Sequence, residues 1–154
     1  MRMLLVMLAM TIAHAAATQP TNRQQADSLT QILKQISKGP GRLEPLLRLA
    51  DYHAFKPGEN KIDFDSANAC VEEAARINKS NPVAGADGRI LLTQAFIYRE
   101  KGDEANGRKA VEQAIPLLEK SAYRYCLGKA YFELSGYYSR QALTTSIQKL
   151  EVSP

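Results

Sequence analysis

The sequence predicts an all-α fold, a stack of helical hairpins, and two observations carry that expectation. From Thr21 onward the apolar residues recur at helical spacing and almost never alternate strictly, which argues against a strand-rich domain. A small residue followed three positions later by tyrosine recurs 33 residues on, as Ala95–Tyr98 and Gly128–Tyr131. A period of that length marks stacked helical units, where an ordinary bundle would show apolar periodicity without a shared register.

The first helix, about 24–37, carries Ala26, Leu29, Ile32, Leu33 and Ile36 on one face and is stopped by Lys38-Gly39-Pro40-Gly41. A second, about 43–54, presents Leu46, Leu47, Leu49, Ala50 and His53. Pro57-Gly58 turns the chain within a loop at 55–64, and Asp63, Asp65 and Ser66 gather where a third helix, about 66–78, is expected to begin. Side chains of that kind accept bonds from free backbone N–H groups and oppose the helix dipole. Asn81-Pro82 and Asp87-Gly88 are turn formers in the next loop. Two helices, about 88–101 and 104–120, flank the tight corner Gly102-Asp103, and a last pair, about 122–134 and 139–151, flanks Ser135-Gly136. The domain at 18–154 therefore reads as an N-terminal helix followed by units at about 43–78, 88–120 and 121–154.

The second helix of each unit repeats as well. Small-x-x-x-large-x-x-small appears as Ala67, Val71, Ala74 and again as Gly107, Val111, Ala114. With Ala95-x-x-Tyr98…Gly102 and Gly128-x-x-Tyr131…Gly136, this grid resembles the tetratricopeptide repeat. The resemblance implies a right-handed superhelical stack in which the small residue lets paired helices approach and the tyrosine fills the space between hairpins. An earlier unit is distorted, because Leu49-Ala50-x-x-His53 precedes Ala67 by 17 residues where Ala95 precedes Gly107 by 12. The last unit needs a shift of two residues to bring Ala142 into the small site.

Residues 1–17 read as a secretory signal peptide: Arg2 supplies a positive start, Leu4 to Ala13 an apolar run, and Ala13-x-Ala15 and Ala15-x-Ala17 two cleavage patterns. A run of about ten residues is too short to cross a bilayer. The expected location is periplasmic or secreted, with no membrane span in the mature chain. The formal charge of +4 drops to +3 without Arg2, and basic residues are interspersed with acidic ones, so no nucleic-acid stripe is expected. Cys70 and Cys126 fall in helical apolar patterns two hairpins apart, which favours two buried thiols over a bridge.

Catalytic constellations are missing from the pattern. The mature chain has one histidine, His53, in the tyrosine slot of a repeat, so packing is expected of it before catalysis or metal binding. Asp63-x-Asp65 lacks the further ligands of a calcium loop, and the adjacent Glu72 and Glu73 point to different sides of a helix. No catalytic residue, metal or cofactor is expected, and the Asn78-Lys79-Ser80 sequon reads as chance. Binding remains. The first helix of each hairpin lines the concave face of such stacks, which on the repeat grid selects Glu44, Leu47 and Asp51, then Arg89, Leu92, Phe96 and Arg99, then Tyr125, Lys129 and Phe132. Of these, Arg89, Phe96, Arg99, Tyr125, Lys129 and Phe132 are the expected contacts for a protein or peptide partner, the cations suiting an acidic peptide or a carboxylate. A core role for Leu92, Phe96 and Phe132 is the alternative.

A sharper resemblance lies in Leu46-Leu47-Arg48-Leu49-Ala50-Asp51-Tyr52-His53, Lys56-Pro57-Gly58-Glu59 and Asp63-Phe64-Asp65-Ser66-Ala67. It is similar to the exported tetratricopeptide region at the N-terminus of two-component sensor histidine kinases of Bacteroidetes-type bacteria, which implies a periplasmic input module ahead of a membrane helix and kinase. This sequence contains neither, so phosphotransfer falls on no residue here. A free-standing periplasmic scaffold and, from another class, a small helical hydrolase are the alternatives. The close at Pro154 on a repeat boundary, with no polar capping helix, predicts a truncated product or a homotypic contact through the uncapped C-terminal helix.

Overall fold

The structure, a computed structural model, describes residues 22–58 and 60–151; the leader expected at 1–17 lies outside them. Over the described residues it is all-helical: α1 (Arg23–Gln35), a 3-10 turn (Pro40–Arg42), α2 (Leu43–Ala54), α3 (Lys61–Ser80), α4 (Ala86–Glu100), α5 (Glu104–Glu119) and α6 (Arg124–Glu151). None of these helices is long and apolar enough to cross a membrane.

Local chemistry sets the boundaries. Asn22 opens α1 with a reciprocal capping box, its Oδ1 accepting from the Gln25 N–H at 2.9 Å while Gln25 Oε1 accepts from the Asn22 N–H at 3.1 Å. Arg42 closes the same helix by donating from Nη1 to the Leu33 carbonyl at 2.6 Å, and its Nη2 holds Glu73 of α3 at 2.7 Å. One guanidinium thus ties three elements, and Glu73 acquires a structural partner that periodicity does not reveal. At Gly102–Asp103 the corner forms as the turn chemistry predicts, with Asp103 Oδ1 accepting from the Asn106 N–H at 3.2 Å.

Two boundaries depart from expectation. Helix α3 begins at Lys61 instead of near 66, because the Pro57–Gly58 turn is complete by Asn60. The long spacing from Ala50 to Ala67 is therefore taken up mostly as additional helix. Asp63 consequently lies inside the first turn, where its carboxylate accepts from Lys56 Nζ at 2.9 Å. The second departure is larger: the hairpin expected at 122–134 and 139–151 is one continuous helix, α6, running straight through Ser135 and Gly136. Contacts just beyond that pair hold it straight. Tyr137 is buried beside Gly107 of α5, where a Cβ would stand only 2.1 Å from the phenol oxygen, and Arg140 reaches Glu104 at 2.5 Å.

The core has two parts that share α4. Leu43, Leu46, Leu47 and Ala50 of α2 meet Ala67, Val71 and Ala74 of α3 and Ile90 and Ile97 of α4. On its other side α4 packs Leu92, Ala95 and Phe96 against Val111, Ala114 and Leu118 of α5 and Ala130 and Tyr137 of α6. Helices pack mainly on near neighbours in sequence: α1 on α2, α2 on α3 and α4, α3 on α4, and α5 on both α4 and α6. The small and large positions Ala67, Val71, Ala74 and Gly107, Val111, Ala114 are all buried, as the spacing requires of a helix–helix contact.

Candidate interaction face

The six residues expected to bind a partner divide into three groups. Arg89 is 4% exposed and engaged within the protein: its Nη2 donates to Asp51 Oδ2 of α2 at 2.7 Å, its Nη1 to Asp51 Oδ1 at 3.3 Å and to Thr93 Oγ1. Burial disfavours its charge, but the Asp51 carboxylate outweighs burial and leaves the guanidinium above its ordinary pKa. A guanidinium held in this way is a structural tie between α2 and α4, which corrects its assignment as a partner contact. Leu92 and Phe96 are likewise fully buried, which settles them as core.

Phe96 nevertheless forms the floor of the one place where the remaining expected residues converge. Its ring lies 5.2 Å from that of Phe55, at the end of α2, with the planes tilted by 50°. Arg99 Cζ stands 5.2 Å from the Phe55 centroid and 5.9 Å from that of Phe96. From α6, Lys129 Nζ stands 4.6 Å over Phe96 and 5.8 Å from the Tyr125 centroid. Cations over ring faces are attracted by the ring quadrupole, the more so where water is partly excluded. Phe55 and Tyr125 remain substantially exposed, so the cluster is a surface with a buried aromatic base.

The electrostatics differ from the expected basic face. Arg99 donates from Nε to Glu100 Oε1 at 2.8 Å and from Nη1 to Glu133 of α6. Burial opposes the Arg99 charge, and the two carboxylates more than restore it. Lys129 is different: among the described residues no carboxylate lies within ion-pair distance of its ammonium. The cluster thus offers one uncompensated cation beside exposed aromatic edges, suited to an apolar or aromatic side chain flanked by a single carboxylate.

No family model, curated protein or solved structure matches the chain. The face therefore stands on its own geometry. Phe132, 74% exposed on α6, makes no ring contact with the cluster among the described residues and belongs to another surface. Phe55, Glu100 and Glu133 escaped the sequence reading. One signal pointed to the region: Phe96 and Lys129 are 33 residues apart, the same spacing as Ala95–Tyr98 to Gly128–Tyr131 in the sequence, and Arg99 and Glu133 are 34 apart.

The other singled-out groups lie elsewhere. His53 packs edge-on against Tyr52 at 5.4 Å, half-buried, with Nδ1 at 3.8 Å from Asp63 Oδ1. Cys70 and Cys126 are free thiols, each half-buried.

Proposed function

We propose that this chain is an exported peptide- or protein-interaction module, built as a right-handed superhelical stack of tetratricopeptide-like hairpins and serving as the periplasmic input region of a two-component sensor kinase. Three things support the architecture: the pairing of α2 with α3 and α4 with α5, the contact of α2 with α4 across hairpins, and the burial of the small residues Ala50, Ala67, Ala74, Ala95 and Ala114 where helices meet. The signalling role rests on the resemblance over residues 46–67. The binding role rests on one observation above all, the exposed Phe55–Tyr125 edges gathered with Lys129 over Phe96.

The partner that fits is an extended segment placing an apolar or aromatic residue on the ring cluster and a carboxylate on Lys129. Selecting random displayed peptides on the folded chain and measuring the enriched sequences by fluorescence anisotropy tests this. Lys129→Glu and Tyr125→Ala should each weaken capture about tenfold or more, in the range of an interface anchor, whereas Lys79→Glu on exposed α3 leaves it unchanged. Enriched peptides whose affinity ignores both changes would reject the face. Sequencing the DNA beyond the last codon tests the signalling role separately, since a sensor input region continues in frame into a membrane helix and kinase motifs.

A further inference from the structure

The turn that leaves α2 carries a contact among three ionisable groups that the ring cluster itself does not use. Lys56 Nζ stands 2.9 Å from Asp63 Oδ1, and His53 Nδ1 stands 3.8 Å from the same oxygen. The histidine is on the last turn of α2, the carboxylate on the first turn of α3 and the lysine on the chain between them. The Asp63 side chain is 8% exposed, that of His53 23% and that of Lys56 43%. His53 Nδ1 is itself buried, with no hydrogen-bond partner among the described residues. It would have to close on Asp63 by about 1 Å to make one.

Among the described residues, Asp63 of α3 and Lys56 of the turn are the charges that act on His53. On α2 itself Tyr52 meets the imidazole edge-on and Asp51 is turned to Arg89. From α4, Arg89 is turned to Asp51 and Arg99 to Glu100 and Glu133, and no ionisable group of α1 contributes. A proton on Nδ1 therefore changes one competition, that for Asp63. Neutral His53 leaves the oxygen to Lys56. Protonated, it is a second cation aimed at an oxygen already taken, and the two cations repel. The imidazolium is fixed on a packed helix whose C-terminal end favours positive charge, whereas the more exposed ammonium, on a flexible stem, returns to water at little cost. Phe55 lies between the two in the chain. Its N–H is bonded to the Asp51 carbonyl at 3.0 Å, and the Lys56–Asp63 pair pins the backbone on the other side of the ring that rests against Phe96.

We propose that the His53–Asp63–Lys56 contact is a proton switch on the Phe55 edge of the ring cluster. Neutral His53 leaves Lys56 on Asp63 and Phe55 seated on Phe96; protonated His53 takes Asp63, frees Lys56 and unseats Phe55. The functional half of this inference rests on the peptide-binding reading: acid weakens capture. The sign follows from linkage, because the seated arrangement, with Lys56 beside His53, holds the proton less tightly than the unseated one, so protons favour the latter. By reciprocity a bound peptide, which keeps Phe55 seated, makes His53 harder to protonate.

The chain has no tryptophan, so Phe55→Trp places a single reporter on the switch. With no peptide present, its emission should move to longer wavelength between pH 7.5 and pH 5, in step with the His53 imidazole signals in NMR and with helicity by circular dichroism unchanged. In Phe55→Trp/His53→Gln the emission should keep its neutral-pH position throughout, and in Phe55→Trp/Lys56→Gln it should sit near the acid position throughout. With Phe55 in place, capture of the enriched peptides should be about fivefold weaker at pH 5 than at pH 7.5, and pH-independent in His53→Gln. An emission that titrates with His53 while no peptide is captured upholds the switch and removes the binding reading. A flat emission, one that titrates equally in the His53→Gln chain, or a loss of helicity over the same range overturns the switch. So does peptide capture that is equally strong at both pH values.

Discussion

Removing the Asp51 carboxylate tests the reassignment of Arg89 from partner contact to structural tie. In Asp51→Ala the Arg89 guanidinium, its side chain 5% exposed, keeps only the Thr93 hydroxyl as a polar partner among those it bonds in the folded protein. Breaking a buried ion pair from one side costs about 3–5 kcal/mol, because a charge is left without its counter-ion away from water. Asp51 is 16% exposed and Thr93 stays in place, which puts the expected loss near the lower end, about 3 kcal/mol. A domain of this size would melt roughly 10 °C lower. Urea unfolding followed by circular dichroism measures the difference directly, and Arg89→Met/Asp51→Leu should recover most of it, since the unpaired charge is gone. A loss below about 1 kcal/mol in Asp51→Ala, or a double substitution costing the sum of the two single ones, refutes the argument. Peptide capture by Arg89→Met/Asp51→Leu should match the parent chain.

Three further changes have readable consequences. Gly85, at φ +81°, sits where a Cβ would fall 2.3 Å from Ser121 Cβ, so Gly85→Ala adds a left-handed penalty to a clash and should cost about 3 kcal/mol in a thermal melt. Burial, helped by the Lys56 charge and opposed by Asp63, lowers the His53 pKa below its ordinary 6.5, so the unfolded chain binds more protons below that pH. Stability should therefore fall from pH 7 to pH 5 and the fall should flatten in His53→Gln; Asp63, held low by Lys56, contributes to pH dependence only below about 4. Burial also pushes the Cys70 thiol up to about 11, so a disulfide reagent should modify it on the order of 100-fold more slowly in the folded than in the unfolded chain.

Most of the helical layout was legible because it is written locally. The apolar steps of α2, α4 and α5 and the Gly102–Asp103 corner place those helices within about two residues of where they lie. The two departures have different physical origins. At α3 the acidic cluster at 63–66 looked like a helix start, but Asp63 is drawn inward by Lys56, a partner seven residues back that a cap pattern does not anticipate. At α6, Ser135-Gly136 carries a real local turn signal, which is overridden by Tyr137, Arg140 and Gln141 gripping α5. Among site residues, the period of 33 placed Phe96 beside Lys129, whereas the Asp51 partner of Arg89 lies 38 residues away, outside the repeat step, and is visible only once α2 and α4 are packed.

The pairing of cations explains why net charge is a poor guide to what this face selects. A count of basic residues on the first helices suggests an acidic partner, yet Arg89 is matched by Asp51 and Arg99 by Glu100 and Glu133. Arg89–Asp51 and Arg99–Glu133 also join different helices, so the same side chains that would have attracted an acidic ligand instead fix the distance between the helices that frame the site. What remains for a partner is the exposed rings of Phe55 and Tyr125 beside the half-buried Lys129. Recognition on such a surface turns on ring contact and the position of one carboxylate, with little long-range steering.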